Sequence, residues 1–156
     1  MLIAKNDEEK RSKLWNYVTM ITTVVILGIA AYFLYEGFFG NPLIGTWMHD
    51  ESDMTLEVKK DNLAMLTWAN LIGSKDVTVE LVYTLDREGK QITFKVKQEE
   101  LEKAAKALGE NVNADDVQAA IHSFITCFNY SVDGSELTLT EWDYGDQMYF
   151  TKKAGK

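Results

Sequence analysis

Hydrophobic and polar positions change their rhythm three times along the chain. From Tyr17 to Tyr35 there is no charged residue. A run of that length matches the roughly 20 apolar residues, at about 1.5 Å rise each, that cross a bilayer as a helix. Trp15 and Tyr17 flank it on one side, and Tyr32, Phe33, Tyr35, Phe38 and Phe39 crowd the other. Rings with an apolar body and a polar tip favour the headgroup level. The expectation is a transmembrane helix over 15–39. Gly40-Asn41-Pro42 ends it, and the text that follows alternates with a period of two.

The alternation predicts strands in order. Ile44 to His49 is the first. Met54, Leu56 and Val58 alternate with polar partners in the second. Asp61-Asn62 turns into a third over Leu63 to Ala69, which Gly73-Ser74 breaks. Val77, Val79, Leu81, Tyr83 and Leu85 form one face of a fourth strand, and Ile92, Phe94 and Val96 one face of a fifth. The period then lengthens. Leu101, Ala104, Ala105 and Leu108 fall at helical spacing, with Gly109 as the C-cap. Asn113 is the N-cap of a second helix, with Asp115 and Asp116 in its first turn and an apolar stripe of Val117, Ala120, Ile121 and Phe124. Two narrow stripes suffice to lie on a sheet but not to form a separate domain. After about residue 126 the alternation returns through Phe128, Tyr130 and Val132, the hairpin dipeptide Asp133-Gly134, Leu137 and Leu139, and a last strand over Gln147 to Lys152. About eight short strands joined by tight turns predict a mainly β fold, an antiparallel barrel closed by nearest-neighbour hairpins and carrying a two-helix insertion over about 98–126.

Charge fixes the orientation. Lys5, Lys10, Arg11 and Lys13 precede the apolar run, and the next cationic residue is Lys59. Cationic flanks stay cytoplasmic. The expected layout is a cytoplasmic N-terminus over 1–14, one span, and an extracytoplasmic domain over 41–156 at the cell membrane. A cleaved signal peptide is the competing reading, since Gly28-Ile29-Ala30 offers a small-x-small pattern. Cleavage there would leave the apolar sequence Ala31-Tyr32-Phe33-Leu34-Tyr35 as the new terminus, which favours an uncleaved signal anchor. No cysteine lies near the end of the run for lipid attachment.

Composition narrows the partners. The four acidic and four basic residues before Asn41 cancel, so the whole net charge of −8 belongs to the outer domain. An acidic surface opposes nucleic acid and flat adhesion to anionic lipid. The lone Cys127 supports no intramolecular disulfide and no Cys-based metal site. Its neighbours Phe124, Ile125 and Phe128 suggest a buried thiol.

Two places resemble a known family. Asn41-Pro-Leu-Ile-Gly-Thr-Trp47 puts a Gly-x-Trp at the opening of the first strand. Gly134-Ser-Glu-Leu-Thr-Leu-Thr140 followed by Tyr149-Phe-Thr-Lys152 resembles the ending of small bacterial lipocalin-like domains, many of them envelope-tethered. The resemblance implies that Trp47 plugs the barrel bottom and that Lys152 or Lys153 covers it through a cation–π contact. The helical insertion departs from the family pattern.

Chemistry beyond this is sparse. His49 lies near Asp50, Glu51 and Asp53, His122 sits beside the apolar stripe of the second helix, and Glu141 to Asp146 offers oxygens without an EF-hand run. For each of these a solvated loop or helix surface is the preferred reading. No Gly-x-Ser-x-Gly elbow or glycine-rich phosphate loop is present. The expectation is therefore a non-enzyme without metal or cofactor. Aromatic content is what remains. Trp47, Trp68, Tyr83, Phe94, Phe124 and Tyr130 are the candidate cavity-lining residues for an apolar or amphiphilic ligand, with the insertion as lid. The alternative is a non-catalytic subunit that docks on a membrane protein partner. A hydrolase or metal enzyme resting on His49 ranks last.

Overall fold

In the computed structural model, residues 8–155 are described, 36–39 by their backbone only. Lys5 of the cationic flank therefore lies outside the described residues, as do the side chains of Phe38 and Phe39. The chain divides into two compact units after Asn41.

The first unit is one helix, α1, Glu8–Phe39. It begins earlier than the apolar run predicts, because the charged turn Glu8 to Lys13 continues the same helix, with Glu8 and Glu9 in its first turn. Its stretch Glu8–Tyr35 is long and apolar enough to cross a membrane, and none of that apolar window is buried. The side-chain oxygens of Thr22 and Thr23 donate to the carbonyls of Val18 and Thr19, both at 2.8 Å. Back-bonding of this kind lets hydroxyls sit on an apolar helix without seeking water.

The second unit is a closed antiparallel barrel in strict sequence order, β1 to β8, with β8 returning to pair with β1. The strands are β1 Gly45–His49, β2 Met54–Val58, β3 Leu63–Ile72, β4 Lys75–Asp86, β5 Gln91–Val96, β6 Cys127–Asp133, β7 Glu136–Glu141 and β8 Gln147–Lys152. Closure removes the edges that an open eight-stranded sheet would present to other chains. Between β5 and β6 lie the two helices of the insertion, α2 Gln98–Leu108 and α3 Ala114–Ile121, and a 3₁₀ turn His122–Phe124.

Most predicted boundaries hold to within a residue or two. β3 and β4 run further than the pattern predicts. A register irregularity between Trp68 and Ile72 carries β3 past its alternating stretch, with Asn70 at φ 55°. Gly73 and Ser74, at φ 56° and 61°, then make the two-residue turn whose left-handed pair matches the twist of a hairpin. The second helix of the insertion ends at Ile121, and its last predicted position, Phe124, falls in the tighter 3₁₀ turn.

The core is the barrel interior together with the faces of α2 and α3 that lie on it, and its buried residues are all apolar or tyrosine. The sequence alternation maps onto it directly: in β4, Val77, Val79, Leu81 and Tyr83 are buried in succession. α2 buries Leu101, Ala104, Ala105 and Leu108, the four positions that the helical spacing selects. α3 is closed at its N-terminus by a capping box: the Asn113 side chain accepts from the Asp116 N–H and the Asp116 carboxylate accepts from the Asn113 N–H, both at 2.9 Å.

Candidate functional site

One end of the barrel holds the start of β1, the end of β8 and the β2–β3, β4–β5 and β6–β7 turns. Here Trp47 is fully buried, and its indole N–H donates to the Leu43 carbonyl at 2.8 Å, so the segment before β1 folds under the ring. Trp47 and Lys152 are cross-strand partners, and partners in a sheet share a face. The Lys152 ammonium accordingly lies 5.4 Å from the Trp47 ring centroid, within cation–π range. Gly45 makes room for it. Its φ is +140°, and a Cβ there would come within 2.9 Å of Lys152 Cε. Gly45, Trp47 and the distant Lys152 thus each have a geometric reason. The fold is lipocalin-like.

The opposite end gathers the β1–β2 loop, the β3–β4 and β7–β8 turns, and the insertion. α2 packs against β4 and α3 approaches β3. Lys75 at the start of β4 donates to the carbonyl of Leu108, the last residue of α2, where the unpaired carbonyls of a helix end favour a cation. Phe124, on the 3₁₀ turn, sends its ring inward and is fully buried. The ring sits 4.8 Å from Phe94 of β5 and 5.6 Å from Phe128 of β6, centroid to centroid. Phe94 in turn meets Phe128 edge-on at 6.2 Å and Tyr83 at 6.4 Å. Such spacings are in the favourable range for tilted and T-shaped aromatic pairs.

The six residues singled out from sequence divide accordingly. Tyr83, Phe94 and Phe124 come together in one chain of ring contacts, which runs from the 3₁₀ turn at Phe124 to Tyr83, whose phenol donates to the Lys59 carbonyl of the β2–β3 turn at 2.6 Å. Trp47 stands at that turn's end of the barrel, with Leu43 and Lys152 as its partners. Tyr130 is buried on β6, where loss of solvation pushes its phenol above the usual value, nearby Arg87 lowers it and Asp86 raises it. Trp68 is half-buried on the inward face of β3, opposite Met54 and Val77. The ring cluster expose at most 2% of its surface at Tyr83, Phe94 and Phe124. Rings lining a water-sized void would leave more surface free, so these touch side chains and not empty space. Phe128 belongs to the cluster and was legible only as one more inward position of β6. Trp142, Tyr144 and Tyr149 are exposed, Tyr144 at 83%.

The polar candidates resolve simply. His49 Nδ1 shares a 2.8 Å hydrogen bond with Ser52 Oγ inside the β1–β2 loop, and its ring packs edge-on against Phe150 at 5.1 Å. The Asp50 carboxylate accepts from the Thr151 hydroxyl at 2.8 Å. His122 is exposed, and Cys127 is half-buried, less enclosed than its neighbours suggest. Among the described residues no group of three or more His, Cys, Asp or Glu is placed to hold a metal ion.

No protein-family model matches the chain, and neither does any curated protein. Among solved structures, a lipocalin lipoprotein affecting virulence in Streptococcus pneumoniae is similar over 70% of this chain and 91% of that one, at 16% identity and a TM-score of 0.40. The architecture given above rests on strand pairing within this chain.

Proposed function

We propose that this protein is a membrane-anchored, extracytoplasmic, non-enzymatic binding module, whose barrel takes an apolar or amphiphilic small molecule beneath the helical insertion. The observation that carries the reading is the barrel's interior. It is apolar along its length, plugged at one end by Trp47, and occupied at the other by a ring that comes from the insertion and not from a strand. An eight-stranded barrel is just wide enough to be filled by side chains or to hold one small ligand. Here a ring supplied by the 3₁₀ turn of the insertion fills the position, so displacing that one short segment would convert the filled barrel into one with room. Helix α1 is the proposed anchor, and the cationic residues Lys10, Arg11 and Lys13 before its apolar run favour a cytoplasmic N-terminus.

Thermal unfolding of the full chain in nanodiscs, titrated with laurate, tests this. A saturable rise in Tm supports binding, since a ligand that prefers the folded state stabilises it by mass action. No rise at laurate concentrations up to its solubility, together with no apolar molecule in solvent extracts of the purified protein, overturns it.

One feature favours a second reading, a subunit that docks on a protein partner. Trp142 and Tyr144 in and beside the β7–β8 turn are largely exposed, and aromatic residues are enriched where proteins meet. Stoichiometric recovery of one membrane protein with the wild-type chain, lost on Trp142→Ala, supports that reading.

A further inference from the structure

The pairing around the barrel is uneven. β4 and β5 are in register over six positions from Leu81↔Val96 to Asp86↔Gln91, and β6 and β7 over six from Phe128↔Glu141 to Asp133↔Glu136. The seam between β5 and β6 holds three, Gln91↔Asn129, Ile92↔Phe128 and Thr93↔Cys127. Beyond Thr93 a backbone bond from the Phe94 N–H to the Thr126 carbonyl, 3.1 Å long, is followed by divergence: β5 leaves into α2 while β6 arrives from the 3₁₀ turn. The β1–β8 seam also holds three pairs, but only at β5–β6 do the two strands part into the insertion, so the wall diverges here on its lid side. The Phe124 ring stands there, held by Phe94 from one lip and Phe128 from the other.

Each helix of the insertion is closed on itself. The capping box ties Asn113 to Asp116 within α3, and the Gly109 N–H bonds back to Ala105 within α2. Its described side-chain tie to the barrel is Lys75 on the Leu108 carbonyl. The rest of its grip is apolar: Leu101, Ala104, Ala105 and Leu108 of α2, Val117 and Ile121 of α3, and Phe124. Apolar contact is non-directional and is transferable to another apolar occupant.

We infer that the lid-side end of the β5–β6 seam is the portal of the barrel and that Phe124 is its gate, a built-in stand-in for the ligand. The inference rests on the binding reading above and specifies its entry. The ligand it implies presents an apolar group about one ring wide, able to lie against Phe94 and Phe128 in the place of Phe124 when that ring swings out with the 3₁₀ turn. Lys75 latches α2 closed. Entry is lateral through the wall, and the end sealed by Trp47 takes no part.

Hydrogen exchange of the full chain in nanodiscs separates the portal from the binding reading, because it needs no ligand. The seam provides its own control. The Phe94 amide lies at the lid-side end, and the Tyr130 amide, bonded to the Lys90 carbonyl at 2.9 Å, at the other. The portal predicts at least tenfold faster exchange at Phe94 than at Tyr130, with the Trp142 amide, bonded to Cys127 across the β6–β7 side, as protected as Tyr130. Lys75→Met should raise the Phe94 rate severalfold and leave the Tyr130 rate unchanged. Equal protection at both ends of the seam, unmoved by Lys75→Met, overturns the portal whether or not laurate binds. The gate is read with benzene as probe. Phe124→Ala should bind it saturably and at least tenfold more tightly than wild type, which must first displace its own ring, while Phe124→Trp should bind it more weakly than either. Where Phe124→Ala fails to fold, Phe124→Leu serves, with a faster laurate association than wild type expected. An association rate unchanged by shortening Phe124 overturns the gate and leaves the binding reading standing.

Discussion

Gly45 and Lys152 show how far single residues specify this barrel. A Cβ at Gly45 would press on Lys152 Cε at 2.9 Å, but the lysine's stem can give, so the lasting cost of Gly45→Ala is its backbone at φ +140°. We expect a loss of about 1–3 kcal/mol, seen as a lower denaturation midpoint, that persists in the Lys152→Ala background. Lys152→Met keeps the stem and removes the charge above Trp47. It should cost about 0.5–1 kcal/mol and alter Trp47 fluorescence. Tyr130 contributes a pH dependence. Its phenol titrates above 10.0 in the folded state because burial disfavours the phenolate. A folded pKa raised above the unfolded one means a contribution fully present below pH 10 and lost as pH rises through the raised value. Tyr130→Phe should flatten the fall in stability above pH 10, measured by urea unfolding across pH 8 to 11. At this scale the Gly-x-Trp opening was readable in the sequence, since three adjacent residues carry it. The choice between Lys152 and Lys153 was not, because the register of β8 against β1 decides which lysine shares Trp47's face.

Among the elements, the strands and helices were legible where periodicity is strong. β4 and α2 bury the residues that their spacing selects. Asn113 also appears where local chemistry demands, and its capping box makes α3 a unit. Asn113→Ala should lower stability by about 1 kcal/mol, with exchange rising first in α3 amides. The meeting of Phe94, Phe124 and Phe128 was not legible. Alternation says that each points inward, but their proximity depends on how the chain returns after the two helices of the insertion. The end of β3 was missed for a related reason: a register irregularity leaves no period to read.

At the scale of the whole molecule, an apolar helix and a closed lipocalin-like barrel stand in one chain, and the barrel interior, not a polar constellation, is its most developed feature. The sequence pattern reached the barrel and its insertion. It left open whether the interior encloses space, because volume depends on how rings interdigitate and not on which face they occupy. The packing of Phe124 answers that for the ligand-free chain. Removing the ring should cost about 3–5 kcal/mol, so a partner able to replace it has a substantial free energy to recover. The most direct test is native mass spectrometry of the full chain purified in detergent from the cells that make it, wild type beside Phe124→Trp. The account predicts a bound small molecule on the wild type, extractable into organic solvent, and its loss in Phe124→Trp. A wild-type chain carrying no added mass, with laurate leaving its Tm unmoved, would contradict it.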